Sequence, residues 1–141
     1  MTFDEYKENG IDPTELQGVK QLGSSLDEHF INLLLFQAQL KIMHWGTESY
    51  SQHNAYGMTY DSVSDGLDAL VESYQGYHGR IDFGNSCEFI SFSDVEPNSW
   101  LKSMMECLTT LRENLKESDL QNLIDELISD VSKLMYLLTL K

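Results

Sequence analysis

Basic residues are scarce in this chain. Nine Lys and Arg stand against 23 Asp and Glu, a formal net charge of −14 over 141 residues. Affinity for nucleic acid comes largely from Lys and Arg on phosphates, so this balance argues against a DNA- or RNA-binding protein. No basic tail compensates, because residues 1–20 hold only Lys7 and Lys20 and the last residue is a single Lys141. Long apolar runs are missing too. None approaches the roughly 20 residues that a membrane-spanning helix needs, so no membrane is expected. Met1 to Gly10 is acidic and polar, which does not read as a secretory leader. Cysteine is limited to Cys87 and Cys107. They match no metal-ligand spacing, and free thiols in the cytoplasm are the expected state. Histidine is limited to His29, His44, His53 and His78. With none after position 78, the C-terminal half cannot carry the Glu-x-x-His motif of in-bundle di-iron proteins.

What remains is a helical pattern of single-domain length, residues 1–141, with 41% hydrophobic residues. Asp12-Pro13-Thr14-Glu15 reads as a helix start. Gly18 and Gly23 keep that helix short, so residues 1–24 form an N-terminal extension. Ser25-Leu26-Asp27-Glu28 is a capping box opening the first long helix, and residues 25–141 are the bundle. Leu26, Phe30, Leu33, Gln37, Leu40 and His44 recur at helical spacing up to Gly46. A second long helix runs from about Gln52 to His78, with Tyr56, Met58, Val63, Leu67, Leu70, Val71 and Tyr74 on its core side, and Gly76 and Gly79 ending it. Residues 80–97 have no helical period, and Cys87 to Phe92 reads as a short extended segment. Eighteen residues reach about 55 Å when extended, enough to cross the length of a bundle. Pro97 starts a third helix, and the capping box Ser118-Asp119-Leu120-Gln121 a fourth. The expected fold is all-α: a ferritin-like four-helix bundle with one long crossover between the second and third helices.

The chemistry concentrates between His44 and Glu72. At about 100° per residue, His53, Asp61, Asp65, Asp68 and Glu72 fall within about 120° of one helix face. Imidazoles and carboxylates are ligand types that iron, manganese or zinc accept. His53 and Asp68 are nevertheless about 22 Å apart along the axis, too far to share one ion within a chain. A two-fold partner with its helix antiparallel would bring His53 of one subunit beside Asp68 and Glu72 of the other. Asp61 and Asp65 form a rival acid pair, read as an entry path or part of a wet dimer surface. His29 and His78 fit no motif and are read as structural. Met104, Met105 and Trp45 are read as packing residues.

This stretch resembles the Dps-type mini-ferritins of the ferritin-like superfamily. The family places a His-Trp pair at the end of one helix, a His at the start of the next, an Asp fifteen residues on and a Glu four further. Here these are His44-Trp45, His53, Asp68 and Glu72, with the histidines nine apart, three fewer than in the family. The likeness is good over residues 25–80 and elsewhere is one of helix pattern. His44-Trp45, Thr47-Glu48-Ser49-Tyr50 and Tyr74-Gln75-Gly76 are also similar to small Dps-like proteins of tailed phages and large viruses, a likeness that carries no activity.

The resemblance implies a ferroxidase. Iron, as a mono- or di-iron centre, or another divalent metal, would be held by His44, His53, Asp68 and Glu72 across a dimer. Ferrous iron would be oxidised by peroxide or dioxygen and stored in a closed shell, a homo-oligomer reaching a dodecamer. The expected location is the cytoplasm, that of the host cell for a viral protein. A second reading is a ferritin-like oligomer without iron chemistry that binds another protein. A third, DNA protection, is disfavoured by charge.

Overall fold

The computed structural model describes residues 13–84 and 92–141, with side chains from residue 26 onward. Four α helices account for most of them: α1 (Pro13–Gly46), α2 (Tyr50–His78), α3 (Pro97–Glu113) and α4 (Ser118–Leu137). A single 3-10 turn, Phe92–Asp94, precedes α3. No strand occurs among the described residues. The extended segment expected over Cys87 to Phe92 lies, up to residue 91, outside the described residues, and Phe92 itself begins the 3-10 turn.

Each helix packs on two others: α1 on α2 and α3, and α4 on α2 and α3. Their directions follow from side-chain pairs. Along α1 and α3, Phe36 meets Trp100 at 5.1 Å between ring centroids, and the Cys107 thiol lies 3.7 Å from the His29 carbonyl, so the two run antiparallel. Along α2 and α4, Ser62 donates to Asp130 at 3.0 Å and the Tyr77 hydroxyl to Asp119 at 3.0 Å, again antiparallel. Arg112 closes the α3–α4 hairpin with paired bonds to Asp125 of 2.7 and 3.2 Å. The Asp82 amide donates to Asp27 near the start of the packed part of α1, whereas Phe92 sits against Gly46 at its end. The described ends of the α2–α3 connection therefore lie at opposite ends of α1.

The core is the inward stripe of all four helices, with Phe30, Leu40, Leu70, Leu101, Ile124 and Leu134 fully buried. Burial of these side chains, more than helix propensity, holds each helix in place. Burial also raises the Tyr56 pKa to about 12 and that of Cys107 to about 11, so neither ionises at neutral pH. One core assignment from the sequence is wrong: Met58 is 56% exposed. It lies beside Gly57, about 160° around α2 from Tyr56, on the side away from the core.

Three helix ends differ from the sequence reading. The helix beginning at Pro13 does not stop at Gly18 or Gly23 but continues to Gly46. A glycine inside a helix costs about 1 kcal/mol relative to alanine, which packing overrides. The expected capping box at Ser25 is thus helix interior. At the other end of the chain, Ser118 is the first helical residue rather than the cap; Glu117 is the N-cap and makes no side-chain cap bond. Gln121 instead donates to the Leu115 carbonyl at 2.8 Å. The end of α2 agrees at Gly79, which takes φ 86° and whose amide bonds the Gln75 carbonyl, whereas Gly76 does not end the helix and lies in its last turn.

Pro97 opens α3 as expected, but the cap is Glu96, whose carboxylate accepts from the Ser99 and Asn98 amides at 2.6 and 3.3 Å. The Ser99 backbone bond is the main reason its pKa lies below the usual carboxylate value. A lowered folded pKa gives stability above the unfolded value of ~4.3, lost as pH falls through the folded one. Glu96→Ala is therefore expected to melt below wild type at neutral pH. The gap should narrow on acidification, read by thermal unfolding across that range.

Candidate functional site

The turn between α1 and α2 is closed by two histidines. His44 lies in the last turn of α1 and His53 in the first turn of α2. Their rings stack, with centroids 3.7 Å apart and planes 18° from parallel. His44 Nδ1 lies 2.6 Å from the His53 carbonyl oxygen, and His53 Nδ1 lies 2.8 Å from the His44 carbonyl oxygen. A carbonyl can only accept, so both Nδ1 atoms carry the proton and donate. In the neutral rings each Nε2 then has a free lone pair. A ring held this way is the usual form of a metal-binding histidine, oriented by its second nitrogen.

Each bond has a local reason. The last carbonyls of a helix have no partner within it, and His53 satisfies one of them at the end of α1. The His53 carbonyl points along α2 toward residue 57, so a ring that bonds it must lie over that residue. Position 57 is glycine, and a Cβ there would sit 2.8 Å from His44 Cε1 and 2.9 Å from Nδ1. Gly57 is thus a site residue that the periodicity reading passed over. Its signal was a glycine inside a helix, four residues after a histidine. Around the pair, the Ser49 hydroxyl caps α2 by accepting from the Gln52 amide, and Thr47 donates to Gln52 Oε1 at 2.7 Å.

Gly57→Ala and Gly76→Ala should separate this contact from helix propensity. Nothing lies within 4 Å of a Cβ at Gly76. Alanine there should stabilise by about 0.5–1 kcal/mol, the ordinary helix gain. At position 57 the gain is offset by displacement of the His44 ring, about 1–3 kcal/mol for overpacking. Chemical denaturation should rank Gly76→Ala above wild type and Gly57→Ala below it.

The remaining sequence candidates are elsewhere. Asp61, Asp65, Asp68 and Glu72 are all exposed on α2, on the side turned from the core. The His53 ring does not join them; it turns to His44. Among the described residues, no three His, Cys, Asp or Glu side chains come together in a way that could hold a metal ion. Asp65 and Asp68 instead border a groove of about 370 Å³ between α1 and α2, with Phe30, Leu34, Leu67, Val71 and Phe83. Asp65 also borders a second groove, with Glu126 and Asp130 of α4. Burial is the first cause raising the Asp130 pKa, with Glu126 adding to it and the Ser62 bond opposing. His78 pairs with Glu117 at 2.8 Å and stacks on Tyr74, which fits its reading as structural. Trp45, read as packing, is 71% exposed. No helix among the described residues is long and apolar enough to cross a membrane.

No curated protein and no solved structure matches the chain. One family model does, over residues 44–138, from the first histidine of the pair to the end of α4. That is more than half of the sequence, and the chain belongs to this family, DUF5856, described as a family of unknown function.

Proposed function

We propose that this chain is a ferritin-like, Dps-type iron-handling protein whose site is completed by a second copy. The bundle would be a ferritin-like one, with the 79–96 connection as its long crossover. Two arrangements support this: α1–α3 and α2–α4 are antiparallel, and the connection has Asp82 near Asp27 but Phe92 near Gly46. The observation that carries the functional reading is the reciprocal anchoring of His44 and His53 through Nδ1. It leaves two imidazole Nε2 atoms as ligands and costs no further ordering when a metal arrives.

The carboxylates would come from the partner. Asp68 and Glu72 are exposed on the outer side of α2, where an isologous two-fold would present them to the partner's His53. Two imidazoles and two carboxylates suit ferrous iron. Iron is the substrate, oxidised by peroxide or dioxygen, and the ferric product would pass to an acidic interior of a larger shell. Asp61 and Asp65, beside the site, would draw cations toward it. Ferrous oxidation should be faster with the protein than in buffer alone, and should titrate to a fixed number of iron ions per dimer. A rate equal to that of buffer would contradict this reading.

One observation favours a second reading, a ferritin-like oligomer without iron chemistry. The histidine pair already satisfies a helix-end carbonyl and closes the turn, a complete structural role with no metal. Iron-dependent kinetics decide between the two.

A further inference from the structure

We infer that the outer face of the α1–α2 pair is self-complementary, with Trp45 and Lys41 of one copy docking in the acid-rimmed groove of a second copy and the reverse. The inference deepens the two-fold reading above by fixing which surfaces meet.

One end of the face is a knob. Trp45 is 71% exposed. Lys41 lies beside it, its ammonium 5.9 Å from the Trp45 ring and 4.4 Å from that of Tyr60. No carboxylate of the described residues pairs with Lys41. The other end is a hole of about 370 Å³ with an apolar floor and Asp65 and Asp68 at its edge. Leu34 and Phe83, which line it, are 50% and 41% exposed. Knob and hole are on one side of the molecule, because Lys41 and Trp45 lie within about 20° of the direction of Leu34 around α1. A large exposed tryptophan next to a cation thus has its chemical complement, an apolar pocket next to two anions, on the same face of the same chain.

Two-fold symmetry exchanges the ends of such a face. For Trp45 to reach the hole beside Phe30 and Leu34, the axis must cross α1 near Ala38. For His53 to reach the partner's Asp68 and Glu72, the axis must cross α2 near Asp61. Lys41 packs on Tyr60, so these two levels lie side by side, within about one helical turn. The two requirements, one from ligand chemistry and one from surface shape, place the axis in the same position. Local charge complementarity names this chain as the occupant: Lys41 beside Trp45 is the cation, and Asp65 and Asp68 at the groove are the anions. Each copy supplies the charge the other's groove lacks and offsets the repulsion of two chains at −14.

Sedimentation velocity at micromolar concentration, with a chelator present, tests the docking without iron. Wild type should sediment as a dimer or larger, and Trp45→Ala should associate at least tenfold more weakly. Because Trp45 is exposed, circular dichroism should show its fold unchanged. Lys41→Glu and Asp65→Lys/Asp68→Lys should each be monomeric, since like charges then meet. An equimolar mixture of those two variants should recover the dimer, since both contacts become attractive. A monomeric wild type, an oligomer indifferent to Trp45→Ala, or a mixture that stays monomeric would overturn the inference. Association that survives the chelator without any ferrous oxidation contradicts the iron reading alone. An oligomer indifferent to Trp45→Ala that still oxidises ferrous iron contradicts the docking alone.

Discussion

Ferrous oxidation is expected to fall to the buffer rate when Asp68 and Glu72 are replaced together by Asn and Gln. Both side chains are exposed, and neither bonds another of the described residues, so the variant should keep its helicity and melting temperature. Size is conserved and only the negative charge is removed. The remaining imidazoles would face neutral amide groups, which are poorer ligands for a hard divalent cation. A loss of at least a hundredfold in rate is expected, about 2.7 kcal/mol of transition-state stabilisation. Asp61→Asn with Asp65→Asn should act differently, slowing iron arrival at low ionic strength while leaving the rate at saturating iron nearly intact. If both double variants oxidise iron like wild type, the acids are a solvated face and the scaffold reading stands.

The second large effect separates the structural role of the histidines from their chemistry. His53→Ala removes the donor to the His44 carbonyl at the end of α1, together with the ring stack. One partly buried hydrogen bond is worth about 1 kcal/mol, and an unpaired carbonyl raises the loss to about 1–3 kcal/mol. The melting temperature should drop by roughly 3–10 °C. His53→Asn is the informative comparison. Its amide nitrogen sits near the position of Nδ1, so it can still donate to His44, but it has nothing in place of Nε2. It should therefore recover most of the stability and none of the iron chemistry. Stability and oxidation lost together in every His53 variant would mean that the pair is a clamp only. The same substitutions at His44 test whether the shortened turn leaves that ring within reach of the metal.

Much of the fold was legible in the sequence, for reasons that can be named. Apolar residues at helical spacing mark what must be buried, and Phe30, Leu40, Leu70, Leu101 and Ile124 are buried. Pro97 and Gly79 mark ends because each has a backbone property that few other residues share: a fixed φ without an amide donor, and a free choice of positive φ. The errors came where a signal is only statistical. Ser25 and Ser118 begin good capping boxes, but a cap requires non-helical backbone at the serine, and in both places the chain is helical. Glu96 caps α3 although it is not among the commonest capping residues. Met58 is apolar, which suggests core, but its angular position on α2 turns it away from the core.

The candidate site was legible in part. The sequence pointed to His44 and His53, and the turn does bring them together. It did not reveal that each ring bonds the other's carbonyl. Nothing in a nine-residue separation states how two rings meet across a turn, since helical period describes one helix and not the angle between two. For the same reason His53 could be placed on the acid-bearing side of α2 while its ring turns toward α1. The 22 Å between His53 and Asp68, by contrast, follows from helix rise alone, and it is the reason a second copy enters the account.

The most direct measurement is anomalous diffraction at the iron edge from crystals soaked anaerobically in ferrous salt. If this chain handles iron as proposed, an anomalous peak is expected between the His44–His53 pair of one copy and Asp68 and Glu72 of its neighbour. Metal–ligand distances should be near 2.0–2.2 Å, the range for imidazole and carboxylate ligands of a transition metal. Crystals in which the two copies meet through this face, with His53 near the partner's Asp68 and no anomalous peak between them, would contradict the iron reading.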